Sequence, residues 1–146
     1  MNTNELITLK VDQIMTVDVK TVIWSKNMFF VEDLMLTNNI HHVPVVNDEN
    51  EVQGIISRSD IEQLRHWATK YDLDVAKDSN KDMFRSMLAK DVMNANVVMV
   101  KPTHTLGYCV SIFKENYFHC LPVVKEKKLV GIITPYDLVN FAYRKD

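Results

Sequence analysis

Hydrophobic positions along the chain follow two periods, and the same succession of patterns occurs twice. Residues 19–23 and 97–101 are short, β-branched and bounded by polar residues, which predicts a strand at each place. Asn27 and Thr105 follow, both residue types that cap helices. Met28, Val31, Leu34 and Met35, then Leu106, Cys109, Val110 and Phe113, recur at helical spacing. Residues 43–46 and 121–124 are the next apolar runs. Polar turns at 47–50 and 125–128 lead from them into 52–57 and 129–134, which predicts a hairpin in each half. A helix is expected from near Ser59 and another from Pro135, since proline suits a first helical turn. Each half therefore reads strand, helix, strand, strand, helix.

The halves also match residue by residue. An offset of 78 places Met15 on Met93, Val19 on Val97, Val22 on Val100, Asn38 on Asn116 and His41 on His119. It then places Pro44-Val45-Val46 on Pro122-Val123-Val124. One residue is lost in the following turn, after which Gly54-Ile55-Ile56-Ser57 matches Gly131-Ile132-Ile133-Thr134, and Asp60 matches Asp137. The chain has only three glycines and four prolines, so two of each in register indicate a duplication. The expected domains are a first repeat at 11–70, a linker with a short helix at 71–88, and a second repeat at 89–144. Residues 71–82 are polar and acidic, and Ser79-x-x-Asp82 ahead of Met83-Phe84 is expected to open the short helix. A single repeat of about 55 residues buries too little surface to be robust alone. The fold expected is α/β (α+β), two β-α-β-β-α repeats packed sheet to sheet with pseudo-two-fold symmetry.

Composition narrows the function. The 146 residues are 47% hydrophobic and 25% charged, enough for a core without disulfide or metal. A formal net charge of -2, with no basic patch, argues against nucleic acid as a partner. Cys109 and Cys120 have no ligand-pair spacing, and free thiols suit a reducing compartment. The first residues lack the basic and apolar regions of a signal peptide. No apolar run approaches the ~20 residues that span a bilayer. A soluble cytoplasmic protein that does not engage membranes is expected. No nucleophile elbow, P-loop or dinucleotide glycine pattern occurs, so the chain is not expected to be an enzyme.

The repeated segments resemble the CBS-domain family, whose members occur as tandem pairs. Asp12-Gln13-Ile14-Met15-Thr16 and Lys90-Asp91-Val92-Met93-Asn94 are similar to the family's opening, an acid, a hydrophobic residue, methionine and a small hydroxyl residue. The Pro-Val-Val strands follow. The sharpest match closes each half: Gly54-Ile55-Ile56-Ser57-Arg58-Ser59-Asp60-Ile61, and Gly131-Ile132-Ile133-Thr134-Pro135-Tyr136-Asp137-Leu138. The resemblance covers residues 11–141. It implies a regulatory module with two clefts between the repeats, no catalytic cofactor, and ligands such as AMP, ADP, ATP or S-adenosylmethionine. It also implies a homodimer that acts through a client protein of unknown identity.

In families that this chain resembles, the Asp holds the ribose and the Ser or Thr lies near the phosphate, which points to Asp60 and Asp137, and to Ser57 and Thr134. The chemistry fits. A carboxylate accepts two hydrogen bonds from a vicinal diol, and hydroxyl and N–H groups at a helix start meet an anion. The same residues read equally as helix caps. Arg58 adds a phosphate contact, whereas its counterpart Pro135 removes a donor, so the clefts are not chemically equal and one is expected to dominate. His41, His42 and His119 precede the Pro44 and Pro122 strands. By analogy with nucleotide-binding relatives they approach phosphates held by the other repeat: His41 and His42 toward Asp137, His119 toward Asp60. Their plain reading is a strand-edge histidine with one nitrogen satisfied. No ligand spacing supports a metal. Thr21, Val22, Pro44, Met99, Val100 and Pro122 are the candidates for an adenine slot, with Val22 and Val100 better read as core. The competing function is a homodimerising interaction module that binds little, built on some of the eight methionines with Trp24 and Trp67.

Overall fold

The computed structural model describes residues 3–71 and 77–144. In chain order it contains α1 (Thr3–Thr8), a 3-10 turn (Val11–Gln13), β1 (Val22–Ile23), α2 (Met28–Thr37), β2 (His42–Val46), β3 (Val52–Ser57) and α3 (Arg58–Tyr71). There follow α4 (Lys77–Ser86), α5 (Ala89–Val92), α6 (Leu106–Lys114), β4 (Leu121–Lys125), β5 (Lys128–Ile133) and α7 (Pro135–Ala142). The order is that of two repeats of mixed helix and strand, as the duplication predicts.

The chain divides into two compact units: a central one, Lys20–Asn96, and a terminal one made of Met1–Val19 with Val97–Asp146. In the central unit β1 lies parallel to β2, and β2 antiparallel to β3 with His42 opposite Ser57. Its core gathers Val22, Met28, Val31, Met35, Ile56 and Phe84. In the terminal unit β4 and β5 form the hairpin, and the core gathers Val11, Val100, Leu106, Leu121, Val123 and Ile133. Asn27 and Thr105 do cap their helices, accepting from Phe30 N at 2.9 Å and from Tyr108 N at 3.3 Å.

The opening segment of each repeat is built into the unit that holds the other repeat's hairpin. Thr16 pairs antiparallel with Ile132, through Thr16 N to Ile132 O at 2.9 Å and Ile132 N to Thr16 O at 3.0 Å. Asn94 pairs with Ile55 in the same way, at 3.0 and 2.9 Å. Glycine is required on the strand side of both contacts. A Cβ on Gly131 would sit 2.8 Å from Met15 Sδ and 2.9 Å from Thr16 O, and one on Gly54 would sit 2.7 Å from Met93 Sδ and 2.8 Å from Asn94 O. The motif methionines and the motif glycines thus fit each other as a matched pair.

Three expectations need correction. The first strand of each half is shorter than 19–23 and 97–101: β1 covers Val22–Ile23, and the second half has only a bridge from Val100 to Val123. Only Val22 and Val100 are buried there, and Lys20, Met99 and Lys101 are exposed. The short helix of the linker starts at Lys77, so Ser79 lies within it. Packing supplies the anchor instead of the cap, since Phe84 is 2% exposed in the core. Finally, the left-handed residue that ends each first helix is Asn39 (φ 49°) and Asn116 (φ 60°), so Asn116 is the counterpart of Asn39, not Asn38. Helix α6 has nine residues against ten in α2, and the register is recovered before the proline strands.

Candidate functional site

Both acid-bearing turns form where a strand runs into a helix, and both are reciprocal caps. In the central unit Ser57 N donates to Asp60 Oδ2 at 2.7 Å, and Asp60 N donates to Ser57 Oγ at 3.2 Å. Ser57 Oγ also lies 2.9 Å from Ser59 Oγ. In the terminal unit Thr134 N and Thr134 Oγ1 donate to Asp137 Oδ2 at 2.8 and 2.7 Å, and Asp137 N donates to Thr134 Oγ1 at 3.3 Å. The capping reading of these residues is therefore real, and it leaves different amounts of acceptor capacity in the two carboxylates.

Asp137 Oδ1 accepts a third side-chain or backbone donor, the Thr16 hydroxyl at 3.1 Å. The counterpart of Thr16 is Asn94, and its Oδ1 instead accepts Asn96 N at 2.9 Å, closing a local turn. Asp60 Oδ1 accepts no hydrogen bond among the described residues. Thr16 is a functional neighbour that motif reading missed. The signal was present in the sequence as the difference between Thr16 and Asn94 in otherwise matching segments.

Arg58 opens α3 and turns back toward the loop before β2. Its N donates to His41 O at 2.9 Å and its Nη2 to Ile40 O at 3.2 Å, while its Nε is buried with no partner. His41 is exposed and His42 half-buried. Cross-strand partners in an antiparallel pair point to one face, so His42 shares a face with Ser57. In the terminal unit His119 is exposed, and the counterpart of His42 is Cys120, buried. Burial pushes the Cys120 thiol up to about 12, with the Asp137 charge adding to the effect.

The six slot candidates divide by burial. Val22 and Val100 belong to the two cores, and Pro44 and Pro122 are buried within their strands. Thr21 is half-buried and Met99 45% exposed. Val100 N and O are both spent on Pro122 O and Val124 N, each at 2.9 Å, so backbone groups that read a base edge must come from the residues before it. Among the described residues no group of three or more His, Cys, Asp and Glu is placed to hold a metal ion, and no helix is long and apolar enough to cross a membrane.

A duplicated α/β unit with an acid-capped strand-to-helix turn in each copy defines a class of paired small domains. The CBS-domain model matches residues 11–65 and 89–144, and the chain belongs to that family, as a tandem pair. It is 30% identical over 108 residues to the uncharacterized protein MJ1225 of Methanocaldococcus jannaschii, an alignment covering 74% of this chain and 34% of that protein. The chain thus spans about a third of the length of this relative. Among solved structures, CBSX2 in complex with AMP superposes with a TM-score of 0.74 at 23% identity, covering 91% of this chain and 95% of that one. The CBS domain pair of protein MJ0100, in complex with 5-methylthioadenosine and S-adenosyl-L-methionine, has a TM-score of 0.74 at 19% identity, covering 94% and 99%. These likenesses show the fold.

Proposed function

We infer that the chain is a regulatory module that binds an adenosine-containing ligand, with Asp60 and Asp137 as the ribose acceptors. The observation that carries this reading is Asp60: a half-buried carboxylate, fixed by its own helix cap, with one oxygen that accepts no hydrogen bond among the described residues. A vicinal diol needs two acceptor positions held rigidly at one place, and a capped acid at a helix entrance provides them. The groups for a phosphate are the Ser57 hydroxyl and Arg58 at this turn and Thr134 at its counterpart, with His41, His42 and His119 assigned as in the family analogy. Thr21 and Met99 offer the edges for a base, in front of Val22, Val100, Pro44 and Pro122. Solved CBS pairs in complex with AMP, or with 5-methylthioadenosine and S-adenosyl-L-methionine, support AMP, ADP, ATP or S-adenosylmethionine as the ligand class.

The ligand acts by favouring one of two arrangements of the chain or of a homodimer, which requires unequal affinity for the two. The output passes to a client protein. A second reading, a homodimerising surface that binds little, is favoured by an exposed stripe along α7 and its C-cap, where Tyr136, Val139 and Tyr143 are 70%, 54% and 82% exposed. A thermal-shift panel of the four ligands separates the two. A ligand at 100 times its dissociation constant adds ~2.7 kcal/mol of stability. The shift is expected to vanish in Asp60→Ala with the fold intact. No shift with any ligand, or a full shift in Asp60→Ala, Asp137→Ala and the double variant, rejects the ribose assignment and leaves the interaction surface.

A further inference from the structure

We propose that the two acid-bearing turns are not equivalent, and that the chain binds one phosphorylated adenosine ligand, in the central unit. The proposal rests on the ribose reading above and adds which turn is competent and why. The two acids differ in acceptor capacity. A carboxylate oxygen accepts about two hydrogen bonds. Asp137 Oδ2 is filled by Thr134 N and Thr134 Oγ1, and Oδ1 is engaged by Thr16. A diol arriving there must displace the Thr16 hydroxyl. Among the described residues Asp60 receives only Ser57 N, on Oδ2, so both of its oxygens have room.

The two turns differ also in charge. The residue after Ser57 is Arg58, and the residue after Thr134 is Pro135. The central unit therefore sets a guanidinium at its turn, while the terminal unit sets a ring without an N–H. A phosphate near Asp137 meets the carboxylate with no guanidinium from its own turn. Near Asp60 it meets Arg58, which forms no ion pair among the described residues and whose Nε is buried without an acceptor. A buried donor on a permanently charged group is costly to leave unmade, and an anion at this turn is its natural complement. Thr16, Arg58 and Pro135 are thus the residues that set where the nucleotide goes.

The test uses the full chain with AMP as the probe. Calorimetry is expected to give one AMP per chain, and amide shifts in nuclear magnetic resonance are expected at 57–61 but not at 134 and 136–138. Asp60→Ala is expected to abolish the binding. The double variant Thr16→Val/Pro135→Arg, checked for an unchanged melting temperature, is expected to acquire a second AMP site. Thr16→Val alone should tighten adenosine, which carries no phosphate, at 134–138 by roughly ten-fold, the effect of one hydrogen bond to a carboxylate no longer displaced. Two equal AMP sites in the unaltered chain would overturn the proposal, as would shifts centred on 134–138 or a double variant that still binds one AMP. Absence of any AMP binding overturns the proposal, and the ribose reading falls with it when the thermal-shift panel of the four ligands also shows no shift.

Discussion

Replacing Gly54 by alanine tests whether the opening segments are held by contact with a bare strand. The added methyl would lie 2.8 Å from Asn94 O and 2.7 Å from Met93 Sδ. The methionine end can swing away, but the carbonyl cannot, because it accepts Ile55 N at 3.0 Å while Asn94 N donates to Ile55 O at 2.9 Å. Relieving the clash means stretching both bonds. Each contributes about 1 kcal/mol net, and overpacking of a fitted contact costs about 1–3 kcal/mol. Gly54→Ala should therefore destabilise by about 2–4 kcal/mol, and Gly131→Ala by a similar amount, since its clash is with Thr16 O at 2.9 Å. Gly107→Ala is the control. Its methyl would meet Ile7 O at 3.1 Å, and the helix preference for alanine of about 1 kcal/mol offsets that strain. Urea unfolding with linear extrapolation reads the energies, and hydrogen exchange at Ile55 and Asn94 shows whether the bridge opens locally. Gly54→Ala within about 0.5 kcal/mol of the parent, or Gly107→Ala costing as much, would refute the reasoning.

The β4–β5 turn is Glu126-Lys127 with φ of 50° and 68°, two left-handed residues without a glycine or asparagine. Replacing them by Asn-Gly should stabilise by about 1–2 kcal/mol, and a lower melting temperature would contradict this. Asn27→Ala removes the acceptor for Phe30 N and should cost about 1 kcal/mol in chemical denaturation. Burial pushes Cys109 up to about 11 and Cys120 up to about 12 from 9.0. The folded state then holds these protons more tightly than the unfolded state, so stability is full below about pH 9 and falls as pH rises toward those values. Denaturation midpoints followed from neutral to alkaline pH should show the decline, and the decline should shrink in a Cys109→Ala/Cys120→Ala variant.

The duplication, the caps at Asn27 and Thr105, the hairpins and the acid-bearing turns were legible because each depends on residues close in sequence. A cap needs its acceptor two or three positions from its donor, and a hairpin needs only its turn. What was hidden depends on chain crossing. Met15 and Met93 are alike, as are Gly54 and Gly131, so composition alone does not say which methionine covers which glycine. The Glu126-Lys127 turn was read only as polar because neither residue advertises a positive φ; the hairpin register imposes it. At the site, the acids were found from their motif, but their unequal state was not. Thr16 reaches Asp137 across 121 positions of sequence, a distance over which no local pattern carries information.

The terminal unit is discontinuous: the central unit is an insertion within it, entered once at Val19–Lys20 and left once at Asn96–Val97. Dissection of the gene at the repeat boundary would therefore ruin both cores, taking Met93 and Asn94 from Gly54, and Met15 and Thr16 from Gly131. Cuts that respect the two units excise 20–96 as one contiguous fragment and splice 1–19 to 97–144, or permute the order so that the first nineteen residues follow the last helix. Assembly has the same topology. The central unit can complete itself from contiguous chain, whereas the terminal unit must retrieve its leading arm across the finished insertion, a closure whose entropic cost grows only slowly with the length spanned.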